Sequence, residues 1–248
     1  MSFAILHKTS GITRLSKALL LYTNERGNTA FATAHDVLTP QDEPAQIGPG
    51  RPLSLDNLFA TVRSLSESCR TSSGFLDERV LSIGLDFVIW WQPPTKRTHF
   101  FDCAERPGEH RVGKRTGQAP TPGLIFIAKG HSLWVYAVKG DSRPQPDTPL
   151  FHAPYMNVYA DGGVCTGSMP LPAATLSDSR DAWEAAFFAS NFTHPNHAKA
   201  VQYEGGLHGL STALLDGKHR KFPQRALLPH KGQTAGSLVA DFERKYGA

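Results

Sequence analysis

In the run APYMNVYADGGVCTGSMPLP, Ala153 to Pro172, an asparagine and a cysteine lie eight residues apart, at Asn157 and Cys165. A cysteine acts as a nucleophile through its thiolate, which requires exposure and polar surroundings. Asp161, Gly162 and Gly163 lie just upstream of it and form a turn that exposes the sulfur and frees backbone N–H groups. The Asn157 amide is a candidate donor to a developing oxyanion. No strong base adjoins the thiol, so transfer of an already activated acyl group fits better than peptide hydrolysis. The competing account is a small buried cysteine following a turn.

The elements that must position this run follow from pattern. FAILH and KALLLY are strand-like, TNERGN is a turn, and TAFATA is a hairpin partner. Leu38 to Pro52 is rich in Pro and Gly and reads as a linker. Ser54 caps a helix in which Leu55, Leu58, Phe59, Val62 and Leu65 recur at helical spacing. ERVLSIG, DFVIWWQ and RTHFFDC read as strands, with QPPTKR as a hairpin connection. Ala104 to Pro122 reads as a polar loop, and LIFIA with LWVYAV around KGHS reads as a hairpin. From Asp141 an extended surface segment leads into the cysteine run. Ser177 to Ser190 is a helix with Trp183, Ala186 and Phe187 on one face. Val201 to Lys231 is loop-rich, with EGGLHG as a Gly-rich loop, and TAGSLVADFERKYG closes as a short helix.

Composition bounds the function classes. The chain has 248 residues, 40% hydrophobic and 19% charged, enough to bury a core without disulfides. Its 18 Pro and 22 Gly argue against a helical bundle. The three cysteines, Cys69, Cys103 and Cys165, have no disulfide or zinc-knuckle spacing. Cys69 and Cys103 read as inert thiols. His194 and His197 lie three apart without a supporting Cys or acid pair, so no metal is expected. MSFAILHKTS lacks a long apolar region, and no apolar run spans a bilayer, so a reducing cytoplasm is expected. The net charge of +4 is spread out. Its densest clusters, GKHRKF (217–222) and HRVGKR (110–115), read as solvated surface, with an acidic protein or nucleic acid as the other candidates.

NVYADGGVC resembles the active-site signature of ubiquitin-conjugating enzymes, which carry His-Pro-Asn, a turn ending in Asp or Asn then Gly, and the thioester cysteine. The Asn-to-Cys spacing is the same. The resemblance implies that Cys165 is the thioester cysteine and that Asn157 orders the loop or steadies the oxyanion. It makes Asp161, Gly162 and Gly163 the supporting turn. Tyr155 and Met156 stand where the family has His and Pro. Prokaryotic relatives carry a histidine downstream of the cysteine, and FTHPNH offers His194. Further segments, GRPLSLDNL, VIWWQPPTKRTHFF, PGLIFIAKG, WEAAFFASNFTHPN and KFPQRALLP, together resemble the PRTRC system protein B family. The resemblance runs from about residue 48 to about residue 230.

The resemblance implies an α+β fold, with a ubiquitin-conjugating-enzyme-like antiparallel meander flanked by helices over 48–248. Residues 1–47 form a small N-terminal β extension. It implies transthiolation in a bacterial plasmid-type cassette, with a ThiF-like activating protein and a small ubiquitin-like protein as partners. No cofactor is called for, because ATP belongs to the activating partner. A non-catalytic scaffold of the same fold, or a plasmid-maintenance DNA-associated protein, are the alternatives. Neither a helix-turn-helix nor a basic stripe favours the last.

Overall fold

A computed structural model describes residues 16–25, 29–38, 44–54, 77–84, 87–167, 169–172 and 179–246. The chain divides into two units, Met1–Ser73 and Gly74–Ala248. The expected FAILH strand, the helix over 54–68 and Cys69 lie outside the described residues, apart from Ser54.

In the first unit, β1 (Lys17–Thr23) pairs antiparallel with β2 (Thr29–Leu38), so KALLLY and TAFATA do become partners. Tyr22 faces Phe31 with ring centroids 4.2 Å apart. The linker expected over 38–52 is corrected in part. Gln46–Leu53 is a strand, β3, on the other edge of β2. Pro49 and Pro52 are compatible with it because an edge strand donates along one side only. The sequence-based division at residues 47 and 48 falls inside this strand.

Among its described residues the second unit holds two sheets. Its strands are β4 (Val80–Ile83), β5 (Phe87–Gln92), β6 (Lys96–Asp102), β7 (Lys114–Pro120), β8 (Gly123–Lys129), β9 (Ser132–Val138), β10 (Pro149–His152), β11 (Asn191–Phe192) and β12 (Pro229–Thr234). Its helices are α1 (Arg180–Ala189), α2 (Gly206–Leu215) and α3 (Ala235–Tyr246). The larger sheet is antiparallel in the order β12-β10-β9-β8-β5-β4. The smaller has the order β11-β6-β7.

β5 is buried at every position and β8 at all but Lys129, which requires cover on both faces of the sheet. The period-two alternation of strands decides which residue meets which cover. Val88, Trp90, Leu124 and Phe126 join a core with Trp183 and Phe187 of α1 and Leu210 of α2. Their neighbours Ile89, Trp91, Ile125 and Ile127 join another with Leu238 and Phe242 of α3. The α+β class and the β8–β9 hairpin are as expected.

QPPTKR is not a hairpin connection. β5 pairs with β8, while β6 crosses to the smaller sheet and pairs with β7 and, in parallel, β11. The polar loop over 104–122 contains β7, whose sequence KRTGQAP lacks apolar alternation. The segment after Asp141 contains β10. EGGLHG is the start of α2, entered through Gly205 and Gly206 at φ of 71° and 60°. Those glycines mark a turn that feeds a helix. Among the described residues no helix is long and apolar enough to cross a membrane.

The α1 side of the sheet also buries a charge. Glu184 accepts from Trp90 Nε1 at 3.0 Å and from Arg79 at 3.4 Å through Oε1, and from Arg97 at 2.7 Å through Oε2. Burial raises its carboxyl above the ordinary range, and the indole N–H and the two arginines oppose this. Removing the carboxylate leaves the Trp90 indole donor and Arg97 without this acceptor, while Arg79 keeps Asp77 and Asp181. Breaking a buried pair costs about 3–5 kcal/mol, and the partial exposure of Arg97 reduces this, so Glu184→Ala should cost about 2–4 kcal/mol in urea unfolding.

Candidate functional site

β9 uses one edge fully against β8. On its other edge, β10 covers only Tyr136 and Ala137. β10 ends before Pro154, which has no N–H to donate. The chain detours and returns on the same line. Val135 N–H donates to Gly162 O at 2.8 Å and Val164 N–H to Leu133 O at 2.9 Å, with Gly163 opposite Trp134. The stretch Gly162–Val164 thus continues the place of β10 along β9.

The detour folds back as a tight hairpin. Cys165 N–H donates to Asn157 O at 2.8 Å, Val158 bridges Val164, and Tyr159 N–H donates to Gly163 O at 2.8 Å. Gly162 N–H closes the turn on Tyr159 O at 3.0 Å. The eight-residue spacing therefore places Asn157 and Cys165 directly opposite one another. Val158 is buried and Val164 packs against the core, so alternation turns Cys165 outward, and its thiol is exposed. The Tyr159 hydroxyl donates toward the Cys165 thiol, and this bond raises the phenol above its ordinary value.

Asp161 and Gly162 shape the turn. Asp161 Oδ1 accepts from Gly163 N–H at 3.0 Å, and its carbonyl accepts from the Tyr136 hydroxyl at 2.7 Å. Gly162 has φ of 87°, and a Cβ there would sit 2.5 Å from the Tyr136 ring. His230 reaches in from β12, its Nε2 donating to Ala160 O at 3.1 Å and its Nδ1 meeting Gln233 Oε1 at 2.9 Å.

Asn157 is buried. Its Nδ2 donates to Ser190 Oγ at 3.3 Å, and that hydroxyl donates to Phe187 O at 2.6 Å, tying the loop to the end of α1. His194 is exposed after β11, its Nδ1 bonded to Thr193 Oγ1 at 2.9 Å. Its segment is tethered to the hairpin base by Asn196 N–H to Met156 O at 2.8 Å. Asn157, Asp161, Gly162, Gly163 and Cys165 are thus brought together in one hairpin. His194 stands on a loop fastened beside it.

Tyr155 and Met156 are core residues. Tyr155 packs among His99, Phe187, Phe188 and Phe192, with centroids 5.1–5.9 Å away. Met156 Sδ lies 3.4 Å from Cys103 Sγ. Cys103 is buried and its thiol is pushed up to about 11 by burial, which removes it as a nucleophile near neutral pH. Sequence reasoning missed Tyr159, Tyr136 and His230. Only the hairpin register gives Tyr159 its relation to the thiol. No local signal marks His230.

His152, His197 and His230 pack edge to face, with His152 4.6 Å from His197 and 4.7 Å from His230. Burial and then the neighbouring His230, His197 and Lys231 push His152 down to about 4. Burial alone pushes His99 down to about 4. Depressed histidines contribute stability that is complete above the unfolded value near 6.5 and lost as pH falls toward 4. The urea midpoint should therefore fall between pH 6.5 and 4, and His152→Gln should flatten that slope.

Gly162→Ala should strain the turn by about 1–3 kcal/mol and press on Tyr136. Hydrogen exchange at the Val135 and Val164 amides should rise, while the β5–β8 amides stay protected.

The family model for prokaryotic E2 family D matches residues 55–230, a span that contains Asn157, the turn, Cys165 and His194. No curated protein and no solved structure matches the chain. With a match over more than half its length, the chain belongs to prokaryotic E2 family D, a ubiquitin-conjugating-like family.

Proposed function

We propose that Cys165 carries a small ubiquitin-like protein as a thioester, received from a ThiF-like activating protein. The protein would be the PRTRC system protein B member of a plasmid-type cassette, acting in a bacterial cytoplasm. The observation that carries the proposal is the exposed Cys165 thiol, held opposite Asn157 at the spacing of the ubiquitin-conjugating signature that the sequence resembles.

The Cys165 thiolate attacks the thioester carbonyl on the activating protein. A bond forms from Sγ to that carbon, the bond to the activating cysteine breaks, and the departing thiolate takes up a proton. One thioester replaces another, so little driving force is needed and positioning is the main requirement. In the second step an acceptor amine attacks, the Cys165 thiolate leaves, and the amine proton passes to water or to His194.

Asn157 and the Gly163 N–H are engaged, the first with Ser190 and the second with Asp161. In this state they order the loop. The single Gly163 N–H can donate to an oxyanion only by leaving Asp161, whereas Asn157 Nδ2 keeps a second N–H beside the one given to Ser190.

The test combines the protein with the activating protein, the ubiquitin-like protein and ATP. An adduct should form that is lost with thiol reductant and absent in Cys165→Ala. A demonstrably charged activating protein that yields no adduct would sink the proposal and favour a scaffold role.

A further inference from the structure

At the end of β9 away from the cysteine hairpin, the second unit has a cavity of about 410 Å³. It lies past Val138, while the hairpin meets β9 at Trp134. Six residues at about 3.3 Å each separate Trp134 from Gly140, roughly 20 Å along the strand. The cavity is therefore distinct from the thiol site.

Its walls are joined by hydrogen bonds. Thr121 N–H donates to Thr95 O at 2.7 Å, and Thr95 N–H donates to Thr121 Oγ1 at 3.2 Å, which locks the β5–β6 crossover to the β7–β8 turn. Gly140 N–H donates to Gln224 Oε1 at 3.3 Å, which locks the end of β9 to the chain after α2. The cavity is thus preformed. Pro94, Pro120, Pro122 and Phe222 give it apolar walls.

Its charge is one-sided. Among the described residues, Lys96, Arg220 and Lys221 line it against a single carboxylate, Asp141. None of the three cations forms an ion pair among the described residues. Arg220 and Lys221 belong to GKHRKF, the basic cluster that the sequence marks and the thioester chemistry leaves unused. Concave surfaces lined by one sign of charge concentrate the opposite ion.

The shape narrows the ligand. Single-stranded nucleic acid binds by stacking on exposed aromatic faces, and among the described residues the one aromatic ring of the lining, Phe222, is buried at 8% exposure. Pockets of about 300–1,000 Å³ take a drug-sized ligand. A lone phosphate would leave the proline walls unfilled. An extended segment with carboxylates would meet the cations and lay its backbone along those walls.

We propose that this cavity docks an acidic, extended peptide segment of a partner protein, held by Lys96, Arg220 and Lys221.

The test uses the full chain and a labelled hexapeptide of alternating Glu and Pro, followed by anisotropy and by amide chemical shifts. Binding should perturb Thr95, Gly140 and Lys221 and leave the Gly162–Cys165 amides unmoved. It should weaken about tenfold or more from 50 to 300 mM NaCl. Arg220→Glu with Lys221→Glu, and separately Lys96→Glu, should weaken binding at least tenfold, while Lys114→Glu on β7 should not. Each variant should keep the parent melting curve and Cys165 alkylation rate. Cys165→Ala should bind the peptide as the parent does, so loss of thioester activity and loss of docking are separable. No perturbation by millimolar peptide would overturn the proposal, as would shifts spread over the whole basic surface. Perturbation of the cavity by ATP, inorganic phosphate or a ten-nucleotide oligo(dT) in preference to the peptide would overturn it in favour of that ligand.

Discussion

The outer edge of β9 is the constraint on which the site depends. A strand in mid-sheet must satisfy its backbone donors and acceptors on both sides. β10 satisfies Tyr136 and Ala137 and is then halted by Pro154. What remains is taken by Gly162–Val164, after a detour that the chain folds into a hairpin. The cysteine follows the last residue of that docking stretch. Its direction is therefore set by strand alternation, and its depth by a sheet whose central strands are buried on both faces.

Preorganisation of the hairpin comes from several small interactions aimed at one turn. Backbone bonds close it, Tyr136 and His230 hold two successive carbonyls, and Asn157 ties its base to α1 through Ser190. Each neutral hydrogen bond contributes about 0.5–1.5 kcal/mol net. Their joint effect is to limit the positions of the thiol. Effective concentration in acyl transfer depends on that limit more than on any single strong contact.

Two polar groupings in the second unit, one buried and one half-buried, are accommodated in different ways. Glu184 stays between two arginines and an indole donor, so its charge has compensating partners. His152 and His197 pack in a group of rings with Lys231 near His152, and burial favours their neutral forms. The first arrangement fastens β5 and β6 to α1. The second joins β10, β12 and the loop after β11 beneath the hairpin, and gives that region its sensitivity to acid.

Much of the site was legible from sequence because it is local. The spacing of Asn157 and Cys165, and the Asp-Gly-Gly turn, already describe a short closed loop. The β8–β9 hairpin, α1 and α3 were legible because apolar periodicity there is strong. β7, β10 and α2 were not, since KRTGQAP, PLFH and GLHGLSTALL carry weak or glycine-interrupted patterns and form by pairing or packing with distant partners. The two prolines of QPPTKR suggested a hairpin, while the crossover depends on β8 and β7 competing for β5 and β6. The sequence by itself determined which cysteine follows the Asp-Gly-Gly turn and how far it stands from Asn157. Tertiary structure alone decided that Cys165 faces outward, that Asn157 is buried against Ser190, and that Tyr159 meets the thiol. Those outcomes depend on strand register and on contacts between segments far apart in the chain, which no local pattern encodes.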